Sequence, residues 1–305
     1  MPLGFPLPDL MTIVMLSFAI CTTVCALAME AAVIFTPAFL FVFPVLVTGW
    51  PMLHPAEAIG LSLGVEVFGY TSSVSGYWYR EQVDFGIAAK LLAITIPIAI
   101  VARAVSFLVP SNVLLLAFGF MLAGLAGVLF QAHRHGGRSL TEVVPFGEYL
   151  HSPTVTKDYL PQTRLFGEEG RGFDLSNSDR GFVAVGGVMA GLVGIAIGEI
   201  SQTVLSIRKR VPLKISTGTS ALVLHVTIIA ALLMTLALMR FAPGLAGHGF
   251  SIPLRALAVI APTVVVGGQV GSYVNSRLSE ETTLRVLMTA YFLVGTFVVV
   301  RVLFL

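Results

Sequence analysis

The chain has 305 residues, of which 56% are apolar and only 11% charged, and its mean hydropathy is +0.91. That composition excludes a soluble core and describes a polytopic membrane protein. A formal net charge of +2 gives no basis for nucleic acid as a partner, and two cysteines make no disulfide framework.

Without water to satisfy backbone amides, a spanning segment is a helix or part of a closed barrel. The apolar runs here lack strand-like alternation, so the expected fold is all-α. The N-terminal Met1-Pro-Leu-Gly-Phe-Pro-Leu-Pro-Asp9 has no basic region, and the first apolar stretch is expected to stay in the mature protein. Residues 8 to 50 form one apolar run, about twice what a bilayer-spanning helix needs at ~1.5 Å per residue. The run crosses twice, or crosses and re-enters, with Pro37 and Pro44 as the expected breaks because proline removes a backbone donor and clashes with the preceding turn. Cys21 and Cys25 share a helix face within it and are expected to pack. Further spans are predicted at about 55 to 78, 86 to 109 and 112 to 132, and Tyr77-Trp78-Tyr79 reads as an interfacial anchor.

Residues 133 to 180 carry much of the charge, with Pro145, Pro153 and Pro161, and read as an extramembrane connector of mixed sign. His133 and His135 lack further ligands at metal-site spacing, and no metal is expected. Spans follow at about 182 to 205, 215 to 239, 254 to 275 and 284 to 304. Arg208-Lys-Arg210 with Lys214 is the strongest short basic loop, which the positive-inside rule places in the cytoplasm; His133-Arg134-His135-Gly-Gly-Arg138 pulls the orientation the other way.

The most informative stretch is Gly181 to Val204, apolar and glycine-studded with one carboxylate, Glu199. An ionised side chain in hydrocarbon costs about 2.5–3.5 kcal/mol on insertion scales, so such a residue normally faces a partner, a wet cavity or a substrate path. Gly187, Gly191, Gly194 and Gly198 lie three or four apart and predict one close-packing helix face. A looser copy, Cys25-Ala-Leu-Ala-Met-Glu30, leads to Pro37. After Glu30 comes Pro55-Ala-Glu-Ala-Ile-Gly60-Leu-Ser62, and after Glu199 comes Pro212-Leu-Lys-Ile-Ser-Thr-Gly218-Thr-Ser220; Pro97 and Pro262 follow in later apolar segments. The chain therefore reads as a first transmembrane repeat over 1–132, a connector over 133–180 and a second repeat over 181–305. The expected architecture has eight or nine crossings. Nine crossings make the repeat inverted, which suits alternating access, and eight make it parallel.

Ser62, Thr219 and Ser220 follow glycines at equivalent places, where hydroxyls and exposed amides either replace an oxyanion's hydration or cap helices. Gln202 and Gln269 donate hydrogen bonds without fixing a charge, and serve either a substrate or a neighbouring helix. Glu30, Glu199, Glu66 and His225 are candidates for proton coupling, with structural hydrogen bonding as the alternative. Arg103 is expected to snorkel toward the interface near Pro110. No Gly-x-Ser-x-Gly, His-Glu-x-x-His or phosphate-binding loop is present, so neither an enzyme, a cofactor nor ATP-driven transport is expected. A scaffold or receptor that transports nothing would leave two carboxylates inside apolar segments unexplained.

Taken in order, Gly191-Leu-Val-Gly-Ile-Ala-Ile-Gly-Glu199, the basic loop with Pro212, Ser216-Thr-Gly218-Thr-Ser220 and Pro262-Thr-Val-Val-Val-Gly267-Gly-Gln269-Val-Gly271-Ser resemble the second half of the TauE/SafE sulfite exporter family. The first half resembles that family's first repeat through Pro37, Ala58 to Ser62, and Tyr79-Arg80 followed by Val83-Asp84-Phe85. The resemblance spans all but the connector. It implies a multi-pass secondary transporter of the bacterial inner membrane that moves small sulfur-containing anions: sulfite, thiosulfate or organosulfonates. A small anionic substrate and the lipid bilayer are then the expected partners, and a homodimer stays open. Where that family usually has a glycine cluster, this chain has Ala28-Met29-Glu30-Ala31-Ala32 and Gly198-Glu199. A carboxylate there repels an anion unless it is protonated. A neutral carboxyl donates to an oxyanion, and release of its proton then expels the anion, which moves proton and anion in the same direction. A structural carboxyl, or a cationic or neutral solute, is the alternative.

Overall fold

The computed structural model describes residues 5–27, 29–79, 81–134, 174–209, 211–242, 252–275, 277–278 and 280–304. The body of the connector, 135–173, lies outside them. The described residues are helical, with no strand among them. α1 (Leu7–Ala26) is followed by α2 (Ala32–Pro37), a π-helical turn (Ala38–Val42) and α3 (Phe43–Leu46); then come α4 (Pro55–Tyr79), α5 (Phe85–Ser106) and α6 (Ser111–Arg134). The order recurs after the connector: α7 (Asn177–Val193), α8 (Ile197–Thr203) with a π-helical turn (Val204–Arg208), α9 (Leu213–Phe241), α10 (Leu254–Asn275) and α11 (Glu280–Phe304). Among the described residues, five helices are long and apolar enough to cross a membrane: Leu7–Ala26, Phe85–Ser106, Ile215–Phe241, Leu254–Gly271 and Arg285–Phe304. Ala32–Leu46 and Ser111–Gly127 are shorter apolar helices. The chain is thus an all-α polytopic membrane protein.

Two expected breaks move. The run from 8 to 50 parts at Leu27–Ala31, not at its prolines. Pro37 and Pro44 sit inside helical structure, and the π-helical turn after Pro37 accommodates the ladder there. The expected single span at 182 to 205 is two helices: Gly194 ends α7 in the left-handed region (φ 80°), its amide donating to Ala190 and Met189, and Ala196 begins α8 with φ also at 80°. A left-handed alanine costs about 1–2 kcal/mol, which the surroundings must offset.

Helices pair reciprocally across the two halves: α1 packs on α10 and α7 on α5, while α6 meets α11 and α4 meets α9. Glycine permits the closest approaches. A Cβ at Gly191 would strike the Ala99 carbonyl of α5, one at Gly271 would lie 2.5 Å from the Thr22 carbonyl of α1, and Gly119 and Gly295 face each other between α6 and α11. Of the four glycines expected on one face, Gly187 and Gly191 pack on α5, whereas Gly194 makes the break and Gly198 faces Glu30.

Arg103 does not snorkel. It is fully buried, with Nε donating to Thr235 Oγ1 (2.7 Å), one terminal nitrogen to Ser106 Oγ (3.2 Å) and the other to the Ala56 carbonyl (2.5 Å), and it lies 4.4 Å from the Phe107 ring centroid. Hydroxyl and carbonyl acceptors on α4, α5 and α9 make an interior site cheaper than the route outward. Gly60 leaves room for the guanidinium, since a Cβ there would stand 2.8 Å from a terminal nitrogen.

Candidate functional site: carboxyls at two broken helices

The two chain breaks meet. Glu30 lies in the first, between α1 and α2, yet its carboxylate reaches the second: Oε2 accepts from the Ala196 amide (2.5 Å) and Oε1 from the Gly198 amide (3.1 Å), at the start of α8. Those amides have no partner within the helix, and a carboxylate there also suits the helix dipole. A Cβ at Gly198 would lie 3.1 Å from Glu30 Oε1, so glycine gives the carboxylate its seat. Glu66 does the same for the other short helix, with Oε1 accepting from the Ala32 amide (2.8 Å) at the start of α2. Each short helix is therefore capped by a carboxylate foreign to it, α8 across the halves and α2 from α4.

Glu199 joins them from the first turn of α8, in electrostatic contact with both Glu30 and Glu66. Its Oε1 accepts from the Tyr291 hydroxyl (3.2 Å) of α11. Tyr70, one turn after Glu66 on α4, feels all three carboxyls. The second oxygens of Glu66 and Glu199 are buried and have no hydrogen-bond partner among the described residues. Glu66 and Tyr291 stand near the middle of 25-residue helices, which places the cluster midway along the bundle. The cluster stands where helix-end amides converge.

The structure brings Glu30, Glu66 and Glu199 together and sets His225 apart, with its Nε2 3.5 Å from Thr71 Oγ1 between α9 and α4. Ser62 is buried one turn before Glu66, paired with Thr36 Oγ1 of α2 (2.9 Å) and donating to the Ala58 carbonyl (3.0 Å). Gln202 donates to Thr217 Oγ1 (3.2 Å), and Ser220 to the Thr217 carbonyl (3.0 Å). Thr219 accepts from the Asp84 amide (2.9 Å) at the entry to α5, a capping contact. Gln269 is exposed on α10. Sequence reasoning missed Tyr70 and Tyr291. Their signal was a tyrosine in the middle of an apolar span, far from either interface where such rings usually anchor.

Broken helices whose ends meet around buried titratable groups inside a polytopic bundle define a class, the membrane transporter. The particular family follows from a family model, described as sulfite exporter TauE/SafE, which matches residues 13–298. The chain belongs to the TauE/SafE sulfite exporter family, whose members are membrane transporters of sulfur-related anions and not enzymes. No curated protein and no solved structure matches it.

Proposed function

We propose that the chain is a proton-coupled transporter of a small sulfur oxyanion, such as sulfite, thiosulfate or an organosulfonate, in the bacterial inner membrane, built as two inverted repeats over 1–132 and 181–305. The observation that carries this reading is the cross-capping of the two short helices by Glu30 and Glu66. The amides of Ala196, Gly198 and Ala32 are donors suited to an anion, and carboxylates of the chain itself engage them. Protonation of a carboxyl weakens its hold on those amides and removes its repulsion of an incoming oxyanion. Ser62 and Thr36 stand beside Glu66 to share the anion's remaining oxygens, and Gln202 of α8 and Ser220 of α9 both engage Thr217 where those two helices meet. Deprotonation on the far side then returns the carboxylate to the amides and expels the anion. Proton and anion move in the same direction.

Reconstitution tests this. Proteoliposomes loaded at one pH and diluted into another should accumulate or release labelled sulfite, thiosulfate or a short alkyl sulfonate along the imposed gradient. Absence of flux for every one of these anions contradicts the substrate class, and gradient-independent flux of any one contradicts the coupling.

A further inference from the structure

An apolar groove of about 300 Å³ runs between the first short helix and α11, with Ile34, Ala38 and Val42 on one wall and Leu293, Val294 and Phe297 on the other. Val42, Leu293 and Phe297 are exposed, so the groove opens outward from the bundle, to the side a membrane fills with lipid. Leu293, Phe297 and Arg301 follow one another at four-residue spacing and share one face of α11. Leu293 stands near the middle of that helix and Arg301 in its last turn. The rise between them is about 12 Å, close to the ~15 Å of hydrocarbon in one leaflet. The groove therefore starts near the bilayer centre, and Arg301, one turn beyond its last lining residue Phe297, stands at headgroup height. Phe41 joins the two ends: its ring meets Phe297 edge-on at 5.6 Å, and the Arg301 guanidinium lies 5.8 Å from its centroid.

An apolar slot followed one turn later by an exposed guanidinium, the two together spanning about one leaflet, matches an amphiphile with an anionic head. We propose that this groove binds an acyl chain of an anionic phospholipid, with Arg301 engaging the phosphate. The planar guanidinium takes two phosphate oxygens at once, and net negative charge on the headgroup adds long-range attraction that a zwitterionic lipid lacks. The lipid braces the π-helical turn of the first short helix against α11, the helix whose Tyr291 holds Glu199.

Thermal unfolding of the full chain in neutral detergent tests the assignment, with phosphatidylglycerol or phosphatidylcholine of identical acyl chains added. Phosphatidylglycerol should raise the unfolding temperature more than phosphatidylcholine does. Arg301→Gln should remove most of that excess and leave the phosphatidylcholine shift, while Arg240→Gln, at another exposed arginine, keeps it. Leu293→Trp, which places bulk in the groove, should shrink both shifts. Native mass spectrometry should show retained phosphatidylglycerol falling in parallel in Arg301→Gln and Leu293→Trp. Equal shifts from the two lipids in the unmodified chain, an excess that survives Arg301→Gln, or an equal loss in Arg240→Gln would each overturn the proposal.

Discussion

The two short helices of the bundle are alike in shape and unlike in how they are held. Each follows a break, passes through a π-helical turn and is capped at its start by a carboxylate. The first is anchored by rings: Trp50 Nε1 donates to the Phe39 carbonyl (3.1 Å), and its indole lies 5.7 Å from Phe39 and 4.6 Å from Phe43, all buried. The second is anchored by charge: at the end of its π-helical turn, Arg208 and Lys209 reach Asp179 at 2.5 and 2.8 Å. Asp179 also closes a capping box with Ser176 at the start of α7. Apolar packing hardly responds to pH or salt, whereas an ion pair with half-open partners responds to both. The first segment is accordingly a fixed wall and the second a latched one.

The largest effect should come from breaking the fixed wall. Trp50→Ala removes a buried indole and a hydrogen bond, and should cost about 3–5 kcal/mol of stability, read as a large drop in unfolding temperature at any salt concentration. Asp179→Asn should cost only about 1 kcal/mol, because its partners are partly exposed, and the loss should shrink as salt is raised. Acid distinguishes the anchors further. Burial opposes the charge on Asp179, but hydrogen bonds from Lys209, Ser176 and Arg208 outweigh it and hold the carboxyl well below the usual carboxylate range. A lowered folded-state value means that the contribution is complete above the unfolded-state value of ~3.9 and is lost as pH falls through the folded one. Acid titration of unfolding temperature should therefore fall more steeply below about pH 4 in the parent chain than in Asp179→Asn. A third effect, of similar size, has the opposite sign: Ala196→Gly relieves the left-handed alanine at the second break and should stabilise by about 1 kcal/mol. A loss of stability there would mean that the Ala196 methyl packs for more than its backbone strain costs.

The sequence made these differences legible unevenly. Long apolar helices could be placed within a few residues because their signal is length and composition, and α4, α5 and α9 to α11 fall where the runs predict. The second break carries a glycine at a helix end, a local signal that is indistinguishable in the sequence from the packing glycines before it. The first break carries none: Leu27, Met29, Glu30 and Ala31 all favour a continuous helix. What opens the chain there is tertiary, the Glu30 contact with α8 and the Glu66 contact with the Ala32 amide. Arg103 stays inside for a related reason, since two of its three acceptors lie on helices distant in sequence, Thr235 on α9 and Ala56 on α4. The buried carboxyls were legible as anomalies, and their meeting required the fold.

Glu199→Gln tests the central claim most directly. Glutamine keeps a carbonyl oxygen for the Tyr291 hydroxyl and stays neutral, and unlike Glu30 the side chain caps no helix, so the fold is spared. In proteoliposomes under an imposed pH gradient, the account predicts that Glu199→Gln still binds and exchanges the sulfur anion while accumulation no longer follows the gradient. Gradient-driven accumulation equal to that of the parent chain, in Glu199→Gln and in Glu30→Gln alike, would contradict it.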